Sequence, residues 1–160
     1  MAPARRGGRV QYPVHHNDSV AIACRFIHAE AGEPIGIAQI AAAAHLSERG
    51  LQHAFRATLG TTPLTYLRRV RLARAHDDLV TEATRRQTGR TTTTVNEIAR
   101  LWHFTHPSRF AALYLARYGA YPAQTMRDPG PDQAGPGPDQ AGPTPTPTVR
   151  GRGSDDQRMA

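Results

Sequence analysis

The sequence carries one pattern twice, and this repeat constrains the fold more than any other feature of the chain. Residues 37–67 and 95–127 each read as a short helix, a turn and a second helix that ends at a glycine. After the turn the two copies are offset by 59 residues and before it by 58, so the second turn contains one extra residue. Repetition of a helix-turn-helix pattern predicts two copies of a DNA-reading unit. The matching pairs are Ile40 and Ile98, Ala41 and Ala99, His45 and His103, Leu51 and Phe110, Phe55 and Tyr114, Gly60 and Gly119, and Pro63 and Pro122.

Start and stop signals bound the helices of both copies. Thr94 and Glu97 have the spacing of a capping box, which gives the first helix of the second copy a clear start. Ser47 is placed to cap the second helix of the first copy. Pro107 suits the first turn of the corresponding helix, because the N–H that proline lacks would be unpaired there anyway. Gly119 is predicted to end that helix.

Helical periodicity also flanks the repeat. Asp18 or Ser19 is predicted to cap a first helix, in which apolar side chains recur with the period of a half-buried helix. Residues 63–80 read as one long helix, and residues 81–94 are polar and rich in Thr, which predicts a solvated loop. The predicted fold is therefore all-α, with two helix-turn-helix subdomains of about seven helices in total joined by a long linker helix.

The same signals divide the chain into three parts. Residues 1–17 are predicted to be a flexible basic arm, and residues 18–127 a helical domain. Residues 128–160 contain GPDQAGP twice and then a Thr-Pro repeat, and they are predicted to be disordered because such repeats cannot bury a core. Within the domain, the predicted bounds are about 36–60 for the first helix-turn-helix, 63–80 for the linker helix and 94–119 for the second helix-turn-helix.

The positive charge of the chain is concentrated in the predicted domain and arm. Residues 1–127 contain 17 Arg and 8 acidic residues, a net charge of +9, whereas residues 128–160 contain 3 Arg and 5 acidic residues, a net charge of −2. A compositional bias towards Arg explains why the chain has no Lys, but it does not explain this division. A basic compact domain favours a polyanionic partner, most simply nucleic acid.

Several classes of protein are disfavoured by what the sequence lacks. A single cysteine, Cys24, excludes an internal disulfide, and its apolar helical register predicts a buried thiol. The absence of an apolar run of about 18 residues and of a signal peptide predicts a cytoplasmic protein without a membrane partner. His15 and His16 have no third ligand at a suitable spacing, so no metal and no cofactor are expected. The chain has no phosphate-binding glycine loop and no nucleophile elbow, which argues against an enzyme.

The repeated residues resemble the DNA-binding domain of the AraC/XylS family of transcriptional regulators, from roughly residue 19 to residue 127. The resemblance implies two recognition helices that a rigid linker helix holds about 34 Å apart, so that they enter successive major grooves on one face of DNA. His45 and His103 occupy turns where this family usually has Gly, and histidine tolerates a left-handed backbone better than most side chains. The residues that carry the resemblance are Ile40, Ala41, Ser47, Leu51, Phe55, Gly60, Pro63, Tyr66, Leu67, Arg71, Leu72 and Ala75 in the first half, and Ile98, Ala99, Phe104, Ser108, Phe110, Tyr114, Gly119, Pro122 and Arg127 in the second.

By resemblance, six positions are candidates for reading bases. In the major groove Arg pairs with guanine and Gln with adenine, whereas Ala offers only an apolar contact, for example to a thymine methyl group. Without the family match, an ordinary solvated helix face is an equal alternative. The candidates are Arg49, Gln52 and His53 in the first recognition helix and Ser108, Arg109 and Ala112 in the second.

Four further arginines are candidates for phosphate contacts, namely Arg56 in the first recognition helix and Arg68, Arg69 and Arg74 in the linker helix. Pairing of the linker arginines with neighbouring carboxylates is the alternative interpretation. The carboxylates in question are Asp77, Asp78 and Glu82.

Together the sequence predicts a sequence-specific transcriptional regulator whose partner is double-stranded DNA, with RNA polymerase as a further candidate partner. Only the short arm precedes the first helix, so no small-molecule effector domain is expected. The alternative is a protein-interaction module, or a degenerate family remnant that keeps the fold without specific DNA readout. DNA binding is distinguished from these by an affinity that falls steeply with ionic strength.

Overall fold

The computed structural model describes residues 16–89 and 93–128. Within these ranges the chain forms seven α-helices and no strand, which confirms the all-α prediction. Most of the predicted basic arm and nearly all of the predicted disordered tail lie outside the described residues. The helices are α1 (His16–Glu30), α2 (Ile37–Ala43), α3 (Glu48–Leu59), α4 (Pro63–Gln87), α5 (Val95–Leu101), α6 (Pro107–Tyr118) and α7 (Pro122–Thr125).

The first helix-turn-helix unit consists of α1, α2, α3 and the first half of α4, which surround one hydrophobic core. Ile27 of α1, Ile40 of α2, Phe55 of α3 and Val70 of α4 meet in this core, and each is at most 1% exposed. Ala41 of α2 is also buried, and its small side chain allows the neighbouring helices to cross closely. Burial of these residues fixes the orientation of α3 relative to α1, α2 and α4.

The second unit has a separate core, which the second half of α4 shares with α5, α6 and α7. Leu79 of α4, Ile98 of α5 and Phe110 and Tyr114 of α6 are buried in it. The Tyr114 hydroxyl donates a hydrogen bond to the Thr125 hydroxyl of α7 at 3.0 Å, and burial raises the pKa of Tyr114 to about 12. The linker helix therefore contributes to two cores in succession along its length.

The prediction that α4 ends near Val80 is wrong, because the helix continues to Gln87 and is 25 residues long. Ala83 is buried in the added turns, and Arg85 donates a hydrogen bond to the buried Glu82 carboxylate at 2.8 Å. The Thr84 hydroxyl donates to the Val80 carbonyl at 3.2 Å, which satisfies a polar side chain within the helix. The abundance of Thr and Arg in this segment made it look like a solvated loop.

Three smaller predictions also need correction. The chain is already helical at His16, so Asp18 lies in the first turn of α1 and Ser19 is buried inside the helix, and neither is its cap. Cys24, predicted to be buried, is half-buried against the first core. The sequence of the linker helix also predicts an apolar contact for Leu64, but this side chain is 43% exposed near the start of α4.

The two turns differ in length as predicted. Residues 44–47 separate α2 from α3, and residues 102–106 separate α5 from α6, so the second turn has the extra residue. His45 has a φ of 56° and His103 a φ of 62°, and within the described ranges they are the non-glycine residues with positive φ. A side chain in this left-handed region costs about 1–2 kcal/mol. Both turns therefore carry backbone strain.

Replacement of His45 by glycine is expected to raise the free energy of unfolding by about 0.5–1 kcal/mol. Relief of the left-handed strain exceeds the extra conformational entropy that glycine gains in the unfolded chain. The His45 side chain is exposed and makes no hydrogen bond within the described residues, so nothing else is lost. Urea denaturation measures the effect, and His45→Ala, which keeps a Cβ at this position, should give no gain. A lower stability for His45→Gly would contradict the strain argument.

Candidate nucleic-acid interface

Helix α3 has well-defined ends because both are capped. The Ser47 hydroxyl accepts a hydrogen bond from the Gly50 N–H at 3.1 Å, which confirms Ser47 as the cap of this helix. A Cβ at position 50 would lie 3.2 Å from the Ser47 Oγ, so glycine leaves room for the cap. Gly60 ends the helix with a φ of 61°, and its N–H donates to the Arg56 carbonyl. The caps fix where the outward face of α3 begins and ends.

The outward face of α3 is polar and unused by the fold. Leu51, Ala54 and Phe55 are buried in the first core, each at most 1% exposed, and this directs the intervening positions away from the core. Four long polar side chains occupy those positions, and none of them makes a hydrogen bond or ion pair within residues 16–89 and 93–128. They are Arg49, His53 and Arg56, which are exposed, and Gln52, which is half-buried.

Helix α6 occupies the equivalent place in the second unit, but its start is capped differently. Its N-cap residue, His106, makes no side-chain capping bond, and Pro107 occupies the first turn as predicted. Phe110 and Tyr114 anchor the helix in the second core. The remaining candidates from the sequence, namely Ser108, Arg109 and Ala112, are all exposed.

The outward faces of α3 and α6 differ in chemistry. With the offset of 59 residues, α6 presents apolar side chains at three of the four positions where α3 presents long polar ones, and a short serine at the fourth. Arg109, one residue beyond the equivalent of Arg49, is the long polar side chain at the start of α6, and no carboxylate pairs with it within the described residues. The face of α6 is therefore the poorer one for reading base edges. The equivalent pairs are Arg49 and Ser108, Gln52 and Ala111, His53 and Ala112, and Arg56 and Leu115.

The three candidate phosphate contacts on α4 point in different directions. At about 100° per residue, Arg68, Arg69 and Arg74 are separated by roughly 100° to 140° around the helix axis. None of them lies within ion-pair distance of a carboxylate in the part of the chain that the structure describes, so pairing with Asp77 or Asp78 is not observed. A single duplex on one side of α4 can approach at most two of these arginines closely.

The guanidinium groups near the end of α4 have partners inside the protein. Arg85 pairs with Glu82 at 2.8 Å, and Arg86 donates a hydrogen bond to the Thr93 carbonyl, which lies beyond the undescribed residues 90–92. Arg71, in the middle of α4, donates to the Ala31 carbonyl at 2.9 Å and to the Glu33 carbonyl at 2.6 Å. These contacts distinguish arginines that hold the fold from those on the open surface.

The contacts that the second turn makes with the first unit and with α4 were not predicted from the sequence. His103 Nε2 lies 2.8 Å from the Gly32 carbonyl, and the Trp102 indole N–H donates to the Asp78 carboxylate at 2.7 Å. The Trp102 ring is half-buried and packs against both cores. Local periodicity contains no signal for these contacts, because they join positions 71 and 24 residues apart.

Two features of other classes of protein are absent from the described residues, 16–89 and 93–128. No helix in them is both long enough and apolar enough to cross a lipid bilayer. No group of three or more His, Cys, Asp or Glu side chains in them is arranged to hold a metal ion.

Comparison with known protein sequences places this chain among regulators. A family model described as a helix-turn-helix domain matches residues 40–128, which include both units. The probable thc operon regulatory protein of Rhodococcus erythropolis is 36% identical over 108 residues, which cover 68% of this chain and 31% of that protein. The XylDLEGF operon transcriptional activator 2 of Pseudomonas putida is 30% identical over 102 residues, which cover 64% of this chain and 61% of that protein. The chain thus spans about a third and about three fifths of the lengths of these relatives.

Solved structures give the same picture. The crystal structure of a probable AraC family transcriptional regulator from Rhodopseudomonas palustris matches with a TM-score of 0.60 and 31% identity, covering 68% of this chain and 94% of that one. A transcriptional regulator of Chromobacterium violaceum, described as having an AraC-type DNA-binding domain, matches with a TM-score of 0.58 over 71% of this chain and 96% of that one. Its 24% identity supports a shared fold alone.

Proposed function

This chain belongs to the AraC/XylS family of transcriptional regulators and carries the family's helix-turn-helix DNA-binding domain, and we propose that it reads a bipartite DNA site with both units. In this proposal α3 and α6 enter successive major grooves on one face of the duplex, and α4 sets their separation. The reading domain comprises residues 18–127. The observation that carries the proposal is the outward face of α3, where four long polar side chains have no partner within the described residues.

The dimensions of α4 support a two-groove arrangement. A helix of 25 residues is about 37 Å long, which is comparable to the repeat of about 34 Å between successive major grooves. The first half of α4 is packed in the core that holds α3, and the second half in the core that holds α6. A continuous helix embedded at both ends therefore sets the approximate separation of the two recognition helices.

The two helices are expected to contribute unequally. Arg49, Gln52 and His53 provide α3 with donors and acceptors for base edges, whereas α6 offers Ser108, Arg109 and the methyl group of Ala112. We therefore propose that α3 supplies most of the sequence specificity. The second unit adds affinity through the phosphate backbone and a weaker preference through Arg109.

Selection of binding sites from a pool of random duplex DNA tests this proposal. Enrichment of two motifs about one helical turn apart, with more information in one than in the other, is the expected result. Enrichment of a single motif would mean that the second unit does not read sequence. Salt-sensitive binding without any enrichment would overturn specific readout, and absence of binding at low salt would overturn the DNA-binding role.

The phosphate candidates are separated by the salt dependence of binding. Replacement of Arg56 by alanine is expected to weaken binding to all duplexes equally and to reduce the slope of log K against log salt by about 1. The same change at Arg68, Arg69 and Arg74 should affect at most two of the three, because they point to different sides of α4. Filter binding or fluorescence anisotropy between about 50 and 200 mM salt measures the slopes. An equal change of slope for all three would contradict the geometry of α4.

A second candidate function is favoured by the apolar character of the α6 face. Ala112 and Ala116 are exposed there, and Leu115 is half-buried, which is the composition of a protein-binding surface as much as of a DNA-binding one. In that case α3 alone reads DNA, and α6 contacts a partner protein, for which RNA polymerase stays a prediction. The slope of log K against log salt distinguishes DNA binding by α6 from protein binding by α6. If α6 contacts a protein, replacement of the arginines of the second unit should leave this slope unchanged. A DNA-reading role also implies action in the cytoplasm, beside the chromosome.

A further inference from the structure

We propose that the contacts of Trp102 and His103 with the first unit form a joint that fixes the spacing between the two half-sites this protein accepts. The inference rests on the proposed bipartite function and adds to it the residues that determine spacing. It assigns a positioning role to side chains that do not reach DNA themselves. The joint is defined here as Gly32, Arg71, Asp78, Trp102 and His103.

His103 connects the turn of the second unit directly to the first unit. Its Nε2 lies 2.8 Å from the carbonyl oxygen of Gly32, which belongs to the loop between α1 and α2. The left-handed backbone at His103, with a φ of 62°, is the conformation from which the imidazole makes this contact. His45 holds the equivalent place in the first unit with a φ of 56°, but its side chain makes no hydrogen bond within the described residues. The left-handed turn therefore occurs in both units, but within the described ranges only in the second does its histidine side chain contact the other unit.

Trp102 supports the same connection from the neighbouring position. Its ring packs against both hydrophobic cores, and a Cβ placed on Gly32 would lie 3.9 Å from its Cζ3 atom. Its indole N–H donates to the Asp78 carboxylate at 2.7 Å, which ties the turn to α4. The ring is thus held from one side by α4 and meets the first unit at Gly32.

Arg71 secures the other side of the joint. Its guanidinium donates to the carbonyls of Ala31 and Glu33, the residues on either side of Gly32. Arg71 lies on α4 between Val70, which is buried in the first core, and Leu72, which is buried in the second. The loop that His103 contacts is therefore anchored to α4 where the two cores meet.

Mechanically, the joint adds a second connection between the units. Two bodies joined only by one helix can rock about it, since long helices bend gently at small energetic cost. A contact away from the helix axis resists this rocking and fixes the relative direction of α3 and α6. A cavity of about 240 Å³ lies between Ile35 and Leu67 on one side and Trp102 and Phe104 on the other. The apolar contact between the units is therefore discontinuous there, and His103 and Arg71, which make polar contacts of the joint, line this cavity.

Binding to DNA with altered half-site spacing tests the joint. For the wild-type protein, insertion or deletion of one base pair between the half-sites should lower the affinity about tenfold. Two recognition helices held at a fixed separation can then no longer contact both half-sites at once. In the double variant Trp102→Phe with His103→Gly, this penalty should fall to about threefold or less, while affinity for the first half-site alone is unchanged. Glycine suits the positive φ of position 103, and phenylalanine keeps a large ring at position 102, so the fold is retained.

The matched control is His45→Gly, which removes the same side chain from the same backbone conformation in the first unit and should leave the spacing penalty at the wild-type value. A double variant with the wild-type penalty would overturn the inference while leaving the bipartite function intact. A wild-type protein that binds the pair of half-sites no more tightly than the first half-site alone would instead overturn the bipartite function, and one that binds the pair equally tightly at every spacing would overturn the inference alone.

The effect of the joint on the arrangement of the two units can also be measured in the free protein, without DNA. Cysteines introduced at Ala57 of α3 and Ala116 of α6, both exposed, carry spin labels in a protein in which Cys24 is replaced by serine. The distance distribution between the labels should be narrow in this background and broader after Trp102→Phe with His103→Gly. His45→Gly should leave it narrow. Equal widths in all three proteins would show that α4 alone sets the arrangement, contrary to the inference.

Discussion

Replacement of Phe110 by alanine is expected to lower the free energy of unfolding of the second unit by about 3–5 kcal/mol, the largest stability effect among the substitutions considered. Phe110 is 1% exposed, and its ring centroid lies 4.9 Å from that of Phe104 and 5.7 Å from that of Tyr114. The side chains around Phe110 are held by α4, α5, α6 and α7, so they relax only partly into the cavity that the missing ring would leave. A loss of this size approaches the whole stability of a small unit.

Because the two cores are separate, the loss should be confined to one half of the molecule. Amide hydrogen exchange in Phe110→Ala is expected to become faster throughout α5 and α6, while α3 keeps its protection. On DNA the variant should still recognise the half-site read by α3 and should lose the contribution of the second half-site. Urea denaturation and hydrogen exchange measure the stability, and binding to each half-site measures the function.

The control for Phe110 is Leu101→Ala, since Leu101 is 62% exposed in the neighbouring helix and its loss should cost less than about 0.5 kcal/mol. Equal acceleration of exchange in α3 and α6 after Phe110→Ala would show that the two units unfold together. A destabilisation below about 1 kcal/mol would contradict the burial of this ring.

The parts of this fold that follow a local period could be predicted from the sequence. Ser47 and Gly60 bound α3 as predicted, and Thr94 accepts a hydrogen bond from the Glu97 N–H, as the capping box requires. The hydrogen bonds that Thr94 gives to the Glu97 carboxylate hold the pKa of that group below its usual value. The resemblance to the AraC/XylS family also predicted the left-handed turn at His45, because this family usually has Gly at that position.

The features that depend on long-range contacts could not be predicted. The last two turns of α4 are stable because Ala83 is buried and Glu82 pairs with Arg85, and neither contact shows in a segment of such polar composition. The contacts of Trp102 with Asp78 and of His103 with Gly32 join distant positions and have no periodic signature. The outward faces of α3 and α6, in contrast, followed from the spacing of the buried residues on the opposite side of each helix.

Replacement of Arg49 by alanine is expected to weaken binding to the preferred DNA site by about 1–3 kcal/mol and to relax the preference at one base position. Arg49 lies in the first turn of α3, is exposed, and has no partner within the described residues, so its loss should leave the stability of the protein unchanged. A guanidinium group can donate two hydrogen bonds to guanine O6 and N7, and this geometry makes the contact specific. Thermal denaturation verifies that the fold is intact, and competition binding against all four bases at each position measures the specificity.

Arg49→Lys separates the shape of the side chain from its charge. Lysine keeps the positive charge but lacks the planar fork, so this variant should bind nonspecific DNA like the wild type and still lose most of the discrimination at the same position. Arg56→Ala provides the opposite pattern, with an equal loss on every duplex and a smaller salt slope. If Arg49→Ala also weakens binding equally on all sequences, then Arg49 contacts phosphate and base reading by α3 must depend on Gln52 and His53. If it alters one base position alone, α3 lies in the major groove with its first turn against the bases, which is the orientation that two recognition helices on one face of DNA require.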